Sequence, residues 1–296
     1  MNGGMQHPRH AEFQTRTFIA PDGVALRADV SPGATADSPA VVLLHGGGQT
    51  RHSWGKAART LAARGYGVVN LDSRGHGDSG WSADGRYSLE VLARDLPPLL
   101  RTLPPRVALV GASMGGGAAM VYVGSEMEPP ASALVLVDVV PRVEMAGANR
   151  IRAFMRAHPD GFATLEEAAD AISAYYPHRP RPKDISGLRK NLRMRADGRL
   201  RWHWDPHVVD GPHTVEPPTF SDALVTASRH VRIPTLLVRG LESDVVSAAG
   251  VSALQADIPQ LEVLDIAGAG HMVAGDRNDV FNAGILAFLV RRLPPA

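Results

Sequence analysis

The sequence predicts an α/β fold: a mostly parallel central sheet of about eight strands, flanked by helices and interrupted once by a helical insertion. Short apolar runs alternate with helical patterns along most of the chain. Runs such as Ala40–Leu44 and Ala133–Val137 are continuously apolar, as strands buried on both faces require. The alternation stops between Val140 and Pro234, where 93 residues stand in for a crossover that needs only a dozen or more.

The first extended stretch is Gln14–Ile19. Pro21-Asp22-Gly23 turns the chain, and Val24–Val30 alternates in register to make a hairpin at the sheet edge. Ala40–Leu44 and Gly67–Leu71 are buried parallel strands with a helix near Ser53–Arg64 between them. Ser88 caps a helix expected to run to Leu103. Val107–Val110 is a strand, Met114–Glu126 a helix of small residues, and Ala133–Val137 the next strand. From about Pro141 to Arg229 no strand is expected. Helices are expected at Arg150–Ala157, Thr164–Tyr175 and Ser186–Met194, punctuated by prolines. Strand–helix alternation resumes with Thr235–Val238, a helix near Ser247–Ala256, the last strand Leu261–Ile266 and a closing helix over Asp279–Arg292. The expected organisation is therefore a disordered lead-in over 1–12, a core over 13–140 and 230–296, and a helical lid over 141–229.

The 296 residues are 44% apolar, enough for a large core. A net charge of +1 argues against nucleic-acid and membrane-surface partners, which usually call for a basic excess. No cysteine is present, so thiolate catalysis, disulfides and cysteine-held metal are excluded. The first ten residues lack the apolar stretch of a secretion signal, and no apolar run reaches spanning length, so a cytoplasmic protein is expected. A homo-oligomer is compatible with the sequence.

The sharpest chemical signal is Gly111-Ala112-Ser113-Met114-Gly115, between a strand and a helix. A tight strand-to-helix turn holds a serine hydroxyl exposed, and the helix N-terminus directs free N–H groups at the same place. Ser113 is thus the candidate nucleophile. A serine needs a base. Of the 12 histidines, His271 follows the last strand in a glycine-rich loop, at the carboxyl end of the sheet where catalytic groups gather. His45 reads as a structural loop histidine, and His76 as a bond to its own turn. The histidine needs an orienting acid. Asp244, after strand Thr235–Val238, is the first candidate; Asp138 and Glu242 are the alternatives. An oxyanion needs two backbone donors. Met114 follows the nucleophile, and Gly47 in His45-Gly46-Gly47-Gly48 is the expected second. Gly48, Trp81, Tyr175, Trp202, Trp204 and Met272 are the candidate pocket residues. His203, Asp205 and His207, with His213 beyond, are a weaker candidate for a metal site, and no cofactor is expected.

These segments together resemble the α/β-hydrolase superfamily: the strand leading into His45-Gly46-Gly47-Gly48, Leu71–Ser79 with its Arg74-Gly75-His76-Gly77 turn, the serine elbow, and Gly268-Ala269-Gly270-His271-Met272. The resemblance runs from about residue 13 to 293 outside the insertion. It is similar in particular to lidded esterases and lactonases, epoxide hydrolases and cofactor-free haloperoxidases. Two departures matter. Dehalogenases and epoxide hydrolases of that group use an aspartate where this chain has Ser113, and the residue after His45-Gly46 is often aromatic there but is Gly47 here. The resemblance implies hydrolysis of a small carboxylic ester or lactone through an acyl-serine intermediate. Perhydrolysis or C–C hydrolysis on the same triad is the alternative, and a non-catalytic binding role the more distant one.

Overall fold

A computed structural model describes residues 12–32, 38–177, 179–211, 222–273 and 278–295. Most of the expected lead-in therefore lies outside the described residues, as does His213.

The eight expected strands form one sheet. They are β1 (Gln14–Ile19), β2 (Ala25–Val30), β3 (Ala40–Leu44), β4 (Gly67–Leu71), β5 (Val107–Ala112), β6 (Ala133–Val137), then, beyond the insertion and its hairpin strands β7 (Leu192–Met194) and β8 (Leu200–Trp202), β9 (Thr235–Gly240) and β10 (Leu261–Ile266). Their order is β1-β2-β4-β3-β5-β6-β9-β10. β1 and β2 pair antiparallel to each other, β2 antiparallel to β4, and the rest are parallel. The apolar runs explain this placement. Along β3, Val41 and Leu43 belong to one buried cluster and Ala40, Val42 and Leu44 to the other, so each face of the sheet receives alternate residues.

Helices cover both faces. On one side α1 (Gly55–Ala62) and α10 (Asn278–Arg292) close over Trp54, Leu61, Phe281 and Phe288. On the other lie α2 (Leu89–Arg94), α3 (Leu96–Leu100), α4 (Met114–Gly124), α8 (Asp222–Ser228) and α9 (Ala248–Asp257), burying Leu96, Met120, Leu224 and Leu254. The single helix expected over Ser88–Leu103 is split in two. Ser88 caps α2 as expected, and a second start follows at Leu96 with Pro97 in its first turn, where proline's missing N–H costs no bond.

The insertion differs from its expected pattern in two ways. It contains α5 (Met145–Arg156), α6 (Leu165–Tyr175), a 3₁₀ turn over Ser186–Asn191 and the one-turn helix α7 (His207–Asp210), but also the antiparallel hairpin β7–β8. The helix expected over Ser186–Met194 is thus a 3₁₀ turn running into a strand. A three-residue loop closes the hairpin, with Gly198 left-handed at φ 80 and Arg195 N–H bonded to Arg199 C=O. Second, α8 packs with the sheet. Leu224 and Ala227 are buried in the main core, and a Cβ on Gly124 of α4 would meet the Ala227 backbone. The residues that form a core of their own, Phe162, Ala168, Leu192, Leu200, Trp202 and Trp204, all lie between α5 and α7.

Candidate active site

Ser113 sits between β5 and α4 at φ 46 and ψ −114, a backbone conformation that a residue with a side chain adopts only under constraint. Its N–H is tied to Val137 C=O at 2.9 Å, and its C=O accepts from Gly117 N–H at 2.8 Å. The flanking glycines permit the turn: a Cβ on Gly111 would come 2.5 Å from the Gly115 carbonyl carbon, and one on Gly115 would come 2.6 Å from the carbonyl oxygens of Leu44 and His45. The elbow is therefore wedged against the end of β3.

Ser113 opens onto a cavity of about 360 Å³. The sheet contributes Gly46, Gly47, Gly48, Met114 and His271; the insertion contributes Phe154, Met155, Ile172, Tyr175, Trp202 and Trp204. Of the candidate pocket residues, Gly48, Tyr175, Trp202, Trp204 and Met272 border it. Trp81 does not: its ring lies under the Arg201 guanidinium at 4.8 Å, away from the cavity lining. Trp202 and Trp204 share one side of an extended stretch, their rings stacked at 5.1 Å and 9°. Phe154 bridges Tyr175, at 4.4 Å, and Trp202, at 5.7 Å.

The carboxylate that bonds His271 is that of Asp138, not of the expected Asp244. His271 Nδ1 donates to Asp138 Oδ2 at 2.7 Å, whereas Asp244 pairs with Arg150 at 3.0 Å on the half-exposed rim. Glu242 is exposed. The reason lies in the loop after β9. Ser243 Oγ–H donates to Asp138 Oδ2 at 2.5 Å, and Gly240 N–H reaches Oδ1 at 3.3 Å. Ser243 Oγ in turn accepts from Val245 and Val246 N–H, both at 3.2 Å. The loop thus supplies donors to a carboxylate that comes from β6, and its own carboxylate turns outward. Asp138 is itself left-handed at φ 49 and fully buried as a side chain. No hydrogen bond joins Ser113 Oγ to His271 among the described residues, although both border the cavity; in unliganded sites that bond is often long and tightens on substrate.

The glycine loop is held by one side-chain amide and two imidazoles. Gly46 N–H donates to Gln49 Oε1 at 3.2 Å and Gly48 N–H to His76 Nε2 at 3.1 Å. Gly47, between them, has no hydrogen bond from its N–H among the described residues, and borders the cavity. His45 bonds its neighbour Gly46 at C=O and accepts from Ser73 N–H of the segment after β4. His76 Nδ1 does bond its own turn, at Arg74 C=O, but its second nitrogen reaches the glycine loop, which turn patterns in the sequence do not signal. Ser243 and Gln49 were equally invisible, since each acts through a contact made only in the fold.

The weaker metal candidate comes apart. His203 Nε2 accepts from Arg193 Nε at 2.8 Å, while Asp205 binds His207 Nδ1 at 2.9 Å and Tyr87 Oη at 2.5 Å. No group of three ligating side chains forms among the described residues. None of their helices is long and apolar enough to cross a membrane.

Comparison with known proteins adds to this geometry. The family model described as "alpha/beta hydrolase fold" matches residues 39–277. Protein phosphatase methylesterase 1 of Bos taurus is 33% identical over 140 residues, 46% of this chain and only 37% of that protein. The esterase Rv0045c of Mycobacterium tuberculosis is 30% identical over 177 residues, 57% of each chain. Its crystal structure superposes with a TM-score of 0.71 at 27% identity, covering 98% of this chain and 92% of that one. The sn-1-specific diacylglycerol lipase ABHD11 of Mus musculus is 29% identical over 270 residues, 86% of this chain and 82% of that protein.

Proposed function

This chain belongs to the α/β-hydrolase family, and from that premise we propose that it is a serine hydrolase cleaving a small carboxylic ester or lactone with an apolar acyl group. The observation that carries the reading is a single cavity bordered by both Ser113, strained at φ 46, and His271, whose Nδ1 is committed to Asp138 at 2.7 Å.

The roles follow from the chemistry. With Nδ1–H given to Asp138, His271 Nε2 is the basic nitrogen. Ser113 Oγ attacks the ester carbonyl carbon while its proton passes to Nε2. The carbonyl oxygen becomes an oxyanion, received by the N–H groups of Gly47 and Met114. The imidazolium, stabilised by the Asp138 carboxylate, returns the proton to the leaving alkoxide as the C–O bond breaks. A water deprotonated by His271 then releases the acid and restores Ser113. The order Ser113, Asp138, His271 keeps the chain order of this fold.

A chromogenic ester such as p-nitrophenyl butyrate should give a burst of one phenolate per chain followed by slower turnover. No burst, together with no labelling by a fluorophosphonate, would leave the chain a binding protein. The aromatic wall supports an apolar acyl group. Trp204→Phe opens that wall by about one ring and keeps an aromatic face against Trp202. It should move the optimum acyl chain toward longer esters, changing the ratio of kcat/KM between long and short esters by roughly 10-fold or more. An unchanged ratio would detach the insertion from substrate choice.

A further inference from the structure

We propose that His76 is a positioning residue for the oxyanion, holding the glycine loop so that the Gly47 N–H faces the reacting carbonyl. The inference rests on the serine-hydrolase reading above and assigns the loop geometry to a side chain outside the triad.

The bonding pattern admits one arrangement. A peptide N–H only donates, so the 3.1 Å contact from Gly48 makes His76 Nε2 the acceptor. The ring proton is then on Nδ1, which faces the Arg74 carbonyl at 3.1 Å. Burial holds the imidazole neutral, pushing its pKa down to about 3, and the nearby His45 adds to the shift. Gly48 is left-handed at φ 71 and lies one residue from Gly47, so fixing its N–H fixes the plane of the peptide beside the expected donor.

His76 can do this because its own turn is rigid. Arg74, almost wholly buried, bonds Asp95 and Asp22. Asp72 accepts from the N–H groups of Arg51 and Asp78, and Ser79 Oγ–H returns to Asp72 C=O. The insertion then clamps the turn from outside: Gly77 N–H donates to His203 C=O and Asp205 N–H to Gly75 C=O, both at 2.8 Å, with Trp204 bridged to His76 between them. The strand segment that carries the cavity's aromatic wall and the ring that holds the oxyanion loop are therefore two sides of one turn. A donor displaced by an ångström loses much of its effect on a developing charge.

Two isosteric variants separate this role from packing. His76→Gln keeps an acceptor at the distance of Nε2 and gives up the Arg74 bond; His76→Asn keeps a donor at Nδ1 and cannot reach Gly48. Kinetics on p-nitrophenyl esters and affinity for an alkyl trifluoromethyl ketone give the readout. In the ketone adduct the Ser113 Oγ–C bond forms, the carbonyl electron pair moves to oxygen and the serine proton goes to His271. His76→Asn should lower kcat about 100-fold with KM within about 3-fold of wild type, and weaken the ketone by the same factor. His76→Gln should retain kcat within about 5-fold. Equal losses in both variants, or a His76→Asn enzyme as fast as wild type, would overturn the proposal. Should His76→Asn not fold, the wild-type protein decides: a ¹⁵N–¹⁵N coupling across the Gly48 N–H to His76 Nε2 hydrogen bond is expected, and its absence overturns the proposal. A wild-type protein with that coupling but no burst would instead fail the serine-hydrolase reading.

Discussion

Ser113→Ala should lower ester turnover roughly a million-fold while leaving the melting temperature nearly unchanged. Turnover collapses because no other hydroxyl is set in the strand-to-helix elbow where the carbonyl must arrive, and without a nucleophile His271 has nothing to deprotonate but water. Stability holds for a separate reason. The Ser113 hydroxyl makes no hydrogen bond among the described residues, and what fixes the elbow is backbone: Ser113 N–H on Val137 C=O, and Gly111 and Gly115 against their neighbours. Alanine inherits the same strain at φ 46 and gains no clash. The expected change is therefore within about 0.5–1 kcal/mol. Steady-state rates and thermal melts on the same preparations check both halves. A purified variant that retains more than about 1% of the wild-type rate would remove Ser113 from the nucleophile role.

Asp138→Asn should cost about 10⁴-fold in turnover, and Asp244→Asn less than about 3-fold. At Asp138, one carboxylate oxygen receives both Ser243 Oγ–H and His271 Nδ1–H, and the other receives Gly240 N–H. All three are donors, so the amide of asparagine must set its own NH₂ against one of them. Whichever way it turns, the negative charge that stabilises the imidazolium is gone. Asp244 presents a different case. Its partner Arg150 is about half exposed, and such pairs contribute about 0–1 kcal/mol. Rates measured with one ester for both variants decide the matter, and the reverse ranking would return the acid to the loop after β9.

The contrast between these two aspartates marks how far the sequence is readable. The strands were legible because burial on two faces demands apolar runs, continuous in β3 and β6 and broken only by Asn70 in β4. The elbow was legible because its constraint is local, carried by glycines two residues either side of Ser113. The partner of His271 was not. Asp138 and Asp244 each follow a strand, and β6 and β9 are neighbours in the sheet, so position along the chain favours neither. The choice turns on the path of residues 241–246, where Ser243 faces inward and Asp244 outward. In the insertion the prolines drew the reading toward broken helices, although Asp197-Gly198 is a hairpin signal in its own right. Trp81 misled because composition says that an indole is buried and not which surface it covers.

The pairing of Asp138 with His271 also bears on how this protein can be recombined. Asp138 is the residue after β6, and the chain leaves the sheet for the insertion a few residues later. The junction between host and insert thus runs beside the carboxylate that His271 bonds. A chimera that exchanges the segment from Arg142 to Gly211 for another insert leaves the carboxylate, its two buried followers Val139 and Val140, and the Ser243 hydroxyl with the recipient. A splice made at the end of β6 instead hands that carboxylate to whatever the donor carries there. The two splices differ by the four residues 138–141, and only the later one keeps the bond between Asp138 and His271 within the recipient's own sequence.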